Sequence, residues 1–321
     1  LSIRRQRQMC IRDRWNPVRR VPDREAQRIL ADPRRRRFAL RTRVAYRDQS
    51  CGRGELQAKA RCVGVGCSDP RLKEMKRSSP TPNRLSFFLL LQIASSGRRA
   101  LEGAWRLAAA DADSAYFQGK QGDQSNVKGE KLETLYLRPP DDPLVRKTKA
   151  FSYWGILVEV VGNVYGIANA GLIWYDHTKK TMHSIGAVLH TLDASLYLFF
   201  ESGPKGLRLV CAALFHVDDL LVTWCPTFDI DRLRGAFSWK KWREIDDAGN
   251  LEYGGKLITL MDHDRYKVSQ EEFILDTEVR RLPRGAMSRA DPTLQGSDEK
   301  TEFKSSTGSV QWVGGQSRPD V

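Results

Sequence analysis

Histidine is scarce in this chain, five in 321 residues, and those five are too scattered to supply a ligand cluster. Cysteine is little better represented, with six residues (Cys10, Cys51, Cys62, Cys67, Cys211 and Cys225). Cys62 and Cys67 stand at C-x4-C spacing without a second pair, so the cysteines show neither a zinc-ligand pattern nor a disulfide framework. The thiols read as free, in a reducing intracellular compartment, cytoplasm or nucleus. Long apolar runs are also missing. The longest, "LSFFLLLQIA", is about half of the roughly 20 residues that a membrane-spanning helix needs. No internal repeat is present, which excludes solenoids and propellers.

Acidic residues are few in one region. Residues 1–50 hold 16 Arg against five acids (Asp13, Asp23, Glu25, Asp32, Asp48), while the rest of the chain holds 37 basic and 34 acidic groups. The formal charge of +14 is therefore mostly that of an N-terminal arm and is weak support for a nucleic-acid groove elsewhere. The arm has no apolar core segment of a secretory signal. Its opening, "RQRQMCIRDR", resembles translated adaptor read-through, and residues 1–50 are expected to be disordered or artefactual.

What is present is a 321-residue chain with 40% hydrophobic and 29% charged residues, suited to a globular protein with a substantial core and two subdomains. "ELQAKARCVGVG" reads as a strand with Lys59 and Arg61 on one face. "SSPTPNRLSFFLLLQIASSG" reads as a helix entered near Asn83 and stopped by Gly97. "GAWRLAAADADSAYFQG" offers a strand running into an acidic turn, "ETLYLRPP" a short strand, and "FSYWGILVEVVGNVYGI" a β-rich stretch. "AGLIWYDHTKKTMHSIGAVLH" fits a helix. "SLYLFFES", "GLRLVCAALF" and "LLVTW" read as three strands, the first two joined by "GPKG" and the last two by "HVDD". "FDIDRLRGAFSWKKW" reads as an amphipathic helix, and "NLEYGGKLITL" with "YKVSQ" as a last hairpin. Helices mixed with antiparallel strands give an α+β fold class.

The chemistry concentrates in "LRLVCAALFHVDDLLVTW". Asp218 and Asp219 sit side by side at a turn between two apolar arms. One Asp there is an ordinary turn former. Two raise each other's pKa unless a cation neutralises them, and an all-oxygen ligand set selects hard Mg²⁺. A site that clamps two ions needs a third acid, which "AAADADSAYFQG" supplies as Asp111 or Asp113. Periodicity does not choose between them.

At this point an ordered set of blocks matters. "KAR" at Lys59–Arg61, "KRSSPTPNRLSFFLLLQIA", "WRLAAADADSAYFQG", "LYLRPP", "VYGIANAGLIWY", "LDASLYLF", "HVDDLLVT", "GNLEYGGKLI" and "FKSSTGSVQWVGGQSRPDV" follow one another in a known order. Together they resemble the reverse transcriptase of copia-type long-terminal-repeat retrotransposons, from about Lys59 to Val321. His216 stands where the family has Tyr, Gly171 where it has Pro, and "CVGVGCSDPRL" departs from the usual continuation after Arg61.

The resemblance implies a right-hand polymerase with fingers, an antiparallel palm sheet and a partial thumb. Residues 51–265 would be fingers and palm, and 266–321 a thumb and connection segment leading toward an absent ribonuclease H domain. It implies that Asp111, rather than Asp113, joins Asp218 and Asp219 in holding two Mg²⁺ ions, with Mn²⁺ as a substitute. It also implies that Lys59 and Arg61 contact a triphosphate, that Tyr116 excludes the ribose 2′-hydroxyl, and that Tyr165 and Gly166 lie beneath the nucleotide. The implied partners are an RNA template, a DNA primer and dNTPs, with no membrane. Two other readings compete. One is an inactive remnant that at most binds nucleic acid. The other is an α+β protein whose Asp pair only makes a turn, with Asp111 far away.

Overall fold

The computed structural model describes residues 18–51, 55–100, 103–119, 130, 132–140, 155–204, 206–277 and 296–316; residues 18, 43–51, 55–62, 272, 276 and 296–299 are described by backbone alone. In chain order the first elements are β1 (Val18–Arg20), α1 (Asp23–Ala31), α2 (Pro33–Arg36), β2 (Ala39–Leu40), β3 (Thr42–Cys51) and β4 (Glu55–Gly64). Next come α3 (Arg84–Arg98), β5 (Arg106–Ala112), α4 (Ala115–Gln118), β6 (Tyr136–Leu137), β7 (Val158–Val160) and α5 (Ala170–Ser184). They are followed by β8 (Val188–Leu189), β9 (Leu196–Gly203), β10 (Gly206–His216), β11 (Asp219–Trp224), α6 (Asp231–Arg234) and β12 (Trp239–Glu244). The last are α7 (Ile245–Ala248), β13 (Asn250–Tyr253), β14 (Lys256–Leu260), β15 (Tyr266–Ser269), α8 (Glu271–Asp276) and α9 (Gly296–Gln316). The result is a mixed α+β protein with largely antiparallel sheets.

Two compact units form, each discontinuous in sequence. The first takes residues 1–81, 112–189 and 231–238, the second 82–111, 190–230 and 239–321, whereas the sequence reading divided the chain at residues 50 and 265. In the first unit a small sheet runs β1-β7-β6-β2. Leu137, Val158, Val160, Ile167 and Ile173 make its core. Here the Arg-rich arm departs from expectation: β1 pairs antiparallel with β7, and α1 buries Ala26 and Ile29 completely or nearly so. Composition alone suggested disorder, but the few apolar residues of 18–42 recur at helical spacing and find a core. Residues 1–17 lie outside the described residues. A buried ion pair also stands in this unit, with Arg71 Nη2 donating to Asp69 Oδ2 at 2.7 Å and Arg71 Nη1 to the Glu133 carbonyl at 2.7 Å.

In the second unit a sheet runs β12-β5-β11-β10-β9. Leu107–Ala110 and Leu220–Trp224 are buried along their whole length, which explains why both strands read as unbroken apolar runs rather than alternating ones. One face packs against α3 through Phe87, Leu90, Leu91 and Ala94. The Asn83 side chain caps α3 by accepting from the Leu85 N–H at 2.9 Å, the usual N-cap arrangement. Gly97 does not stop the helix. It lies inside the last turn, where a Cβ would come within 2.2 Å of the Trp105 ring, so the glycine makes room for that indole.

Three further expectations change. "FDIDRLRGAFSWKKW" forms only the single turn α6, closed by the Gly235 N–H on the Asp231 carbonyl at 2.8 Å; β12 follows. Strand formation wins there because Trp239 stacks on Phe215 (centroids 6.4 Å apart) and meets Trp242 edge-on, and aromatic side chains favour a pleated surface. "NLEYGGKLITL" is itself a hairpin, β13–β14, with Gly254 and Gly255 both at positive φ (52° and 72°) as a type I′ turn requires; β15 then adds a third strand. In "FSYWGILVEVVGNVYGI" the described strand is β7 alone; residues 151–154 lie outside the described residues.

Candidate active site

The β10–β11 hairpin closes with His216 opposite Asp219 and a two-residue loop, Val217–Asp218. Val217 has φ 58°. A β-branched residue in that region is strained, and such strain persists where surrounding structure over-determines it, often at functional sites. On the other side β11 pairs antiparallel with β5, and the register sets Asp219 directly opposite Asp111. Directly paired residues project from the same face of a sheet. His216, Asp219 and Asp111 therefore form a row across three strands, with Asp218 one residue away at the tip. The register brings Asp111, not Asp113, opposite Asp219. Asp113 lies past the strand core and accepts a hydrogen bond from Ser114 Oγ at 3.2 Å.

Each carboxylate sits in a different environment. Asp219 Oδ2 accepts the Gly254 backbone N–H at 3.3 Å, a contact that the β13–β14 turn supplies. Burial first, and the neighbouring Asp218 second, push the Asp219 carboxyl up to about 6, against the opposing Gly254 hydrogen bond. Asp111 Oδ2 is paired with Lys240 Nζ of β12 at 3.2 Å. His216 faces the Tyr253 ring edge-on at 6.5 Å, and its pKa is lowered by burial and then by Lys256. Burial also lowers the pKa of Lys256 itself, whose ammonium lies 4.9 Å from the Phe87 ring centroid and 5.5 Å from that of Trp312.

The remaining expected site residues belong to the first unit. Tyr116 of α4 and Tyr165 meet edge to face at 5.0 Å, and Phe117 approaches Tyr165 at 5.1 Å. Gly166 has φ +85°, and a Cβ there would come within 2.3 Å of the Gly64 carbonyl oxygen. The chain's own backbone thus gives this glycine a structural reason: the Gly64 N–H donates to the Tyr165 carbonyl at 2.8 Å and the Gly66 N–H to the Gly166 carbonyl at 3.0 Å. Lys59 and Arg61 lie on β4 opposite Arg47 and Ala45; their side chains lie outside the described residues.

Among the described residues, no three His, Cys, Asp or Glu side chains are gathered tightly enough to hold a metal ion as they stand. The donor chemistry nevertheless suits a hard divalent cation: three carboxylates share one sheet end, and the repulsion from Asp218 that adds to burial in raising the Asp219 carboxyl is one that such an ion would relieve. Among the described residues no helix is long and apolar enough to cross a membrane.

Sequence reasoning missed Lys240, Gly254 and Lys256. The Gly-Gly pair between two apolar stretches was a hairpin signal that could have exposed Gly254. Nothing in the sequence pointed to Lys240, because its role depends on β12 lying beside β5.

No protein-family model matches the chain. It is 23% identical over 202 residues to the putative transposon Ty5-1 protein of Saccharomyces cerevisiae, covering 59% of this chain and 61% of that one. It is 25% identical over 278 residues to the retrovirus-related Pol polyprotein from transposon RE2 of Arabidopsis thaliana, and 24% over 282 residues to that from transposon RE1. Each of these matches covers 82% of this chain and 17% of the polyprotein. The chain is a retrotransposon-related protein, and it spans only part of the length of these curated relatives.

Proposed function

We propose that this retroelement-derived chain is a reverse transcriptase domain, a right-hand RNA-directed DNA polymerase that transfers nucleotides from dNTPs to a primer 3′-hydroxyl. The observation that carries the proposal is the strand register: Asp111 stands directly opposite Asp219, next to Asp218 at a strained hairpin tip. Asp111, Asp218 and Asp219 would hold two Mg²⁺ ions, or Mn²⁺ in their place. When bound, these supply the charge that activates the primer hydroxyl and stabilises the leaving pyrophosphate.

The rest falls to the chain's own residues. Asp219 must be ionised to act as a ligand, and the Gly254 N–H fixes one of its oxygens while the other stays available. The distance between the hairpin arms is set by β10–β11 pairing, so Asp218 is carried on a rigid support rather than a loose loop. Lys59 and Arg61 would contact the triphosphate, with the Arg fork suiting phosphate oxygens. Tyr116 would stand against the sugar edge to exclude a 2′-hydroxyl, and Tyr165 with Gly166 beneath the nucleotide. RNA template and DNA primer complete the complex.

A second reading is a remnant that binds nucleic acid without catalysis, favoured by the Lys240 ammonium on Asp111 and by the ungathered carboxylates. Primer extension by the wild-type chain separates the two, and Asp218→Asn tests the site. Under the polymerase reading that substitution abolishes primer extension and leaves template–primer binding nearly intact. Extension at the wild-type rate by this variant would sink the assignment of Asp218.

A further inference from the structure

Lys240 is not among the residues that the proposed chemistry uses, yet its Nζ sits 3.2 Å from Asp111 Oδ2. It projects from β12, the strand beside β5 in the sheet, on a side chain 50% exposed, and Asp111 is 31% exposed. A pair this open to water contributes little as a structural clamp. Its position is more informative than its strength. A divalent ion held by Asp111 would contact the same carboxylate, and a cation already lies there.

We infer that Lys240 is the resident counter-cation of the site: it neutralises Asp111 when no divalent ion is bound and must withdraw for one to bind, so it weakens the affinity for the ion. The inference rests on the proposed metal-binding role of Asp111, Asp218 and Asp219. Three carboxylates at one sheet end repel one another unless something answers each of them. Asp219 has the Gly254 N–H and Asp111 has Lys240, and these two contacts offset the charge in the ion-free state without gathering the carboxylates into a cage. The same exposure that makes the pair weak lets the long lysine side chain swing into water at small cost. Binding of a divalent ion then has to overcome both the lost pair and the residual repulsion from a nearby ammonium.

The test is a Mn²⁺ titration of the full chain, followed by the electron paramagnetic resonance signal of free Mn²⁺, with no nucleotide or nucleic acid present. Removing the ammonium with Lys240→Gln should tighten binding about three- to tenfold, the range expected when a weak exposed pair and one like-charge repulsion are removed. Lys240→Arg should restore affinity to near the wild-type value. Lys241→Gln, which removes the same charge one residue along the strand, should change affinity less than twofold. Asp111→Asn should weaken binding in both the wild-type and Lys240→Gln backgrounds. Thermal melts of each variant establish that it is folded. Equal or weaker Mn²⁺ binding by folded Lys240→Gln, with Asp111→Asn still impairing it, would overturn the role of Lys240 and leave the metal site standing. Absence of Mn²⁺ binding in both wild type and Lys240→Gln would overturn the metal site and the inference together.

Discussion

Asp219→Asn should make the ion-free protein more stable, by an amount that grows between about pH 4 and 6 and levels off above. The Asp219 carboxyl is pushed from 3.8 to about 6, chiefly by burial and next by Asp218. A shift of that size corresponds to about 3 kcal/mol between the two protonation states. The sign follows from proton linkage: the folded state keeps this proton at pH values where the unfolded chain has released it. Its contribution to stability is fully present below about pH 3.8 and is lost as pH rises through about 6. Above that window the folded protein carries a charge that its surroundings disfavour. Asn removes the charge and still accepts the Gly254 N–H, so the variant should exceed wild type by about 1–3 kcal/mol at pH 8. The lower end allows for partial solvent access and a weaker hydrogen bond to a neutral acceptor. The gain should shrink steadily below pH 6 and nearly vanish by pH 4. Urea unfolding of both proteins between pH 4.5 and 8, in EDTA, measures it. Equal stability at pH 8, or a difference independent of pH, would refute the reasoning. For a residue of the proposed metal site, lowering the stability of its own fold is an expected trade.

Other consequences are as direct. Arg71→Met leaves the fully buried Asp69 carboxylate without its partner and should cost about 3–5 kcal/mol in urea unfolding; pairing it with Asp69→Leu should recover most of the loss. Gly166→Ala sets a Cβ within 2.3 Å of the Gly64 carbonyl at φ +85°, and the lost unfolding free energy should exceed about 2 kcal/mol. Tyr116→Ala should relax exclusion of ribonucleotides by about tenfold or more in competitive incorporation of dNTP and NTP; unchanged discrimination would return Tyr116 to packing on Tyr165.

Parts of this fold were legible because local signals and tertiary packing agree. The α3 helix shows its cap at Asn83 and its leucine run, and β9, β10 and β11 show as apolar stretches separated by turns. Where packing overrides local preference, legibility fails. The Trp and Lys residues of β12 look helical until Phe215 provides a surface for Trp239. The Arg-rich arm hides the buried Ala26 and Ile29 of α1. For the site, the adjacent aspartates are visible as an electrostatic oddity, but no periodicity separates Asp111 from Asp113. That distinction lives in the β5–β11 register, a long-range property. The pairing of Lys240 with Asp111 is longer-range still, and the left-handed backbone of Val217 contradicts its residue type.

The most direct test of the central claim is primer extension by the purified wild-type chain on a poly(rA)–oligo(dT) template, with Mg²⁺ and with EDTA. Extension that requires the metal is the expected result. A folded protein that binds the template–primer and extends nothing in Mg²⁺ or Mn²⁺ would contradict the account.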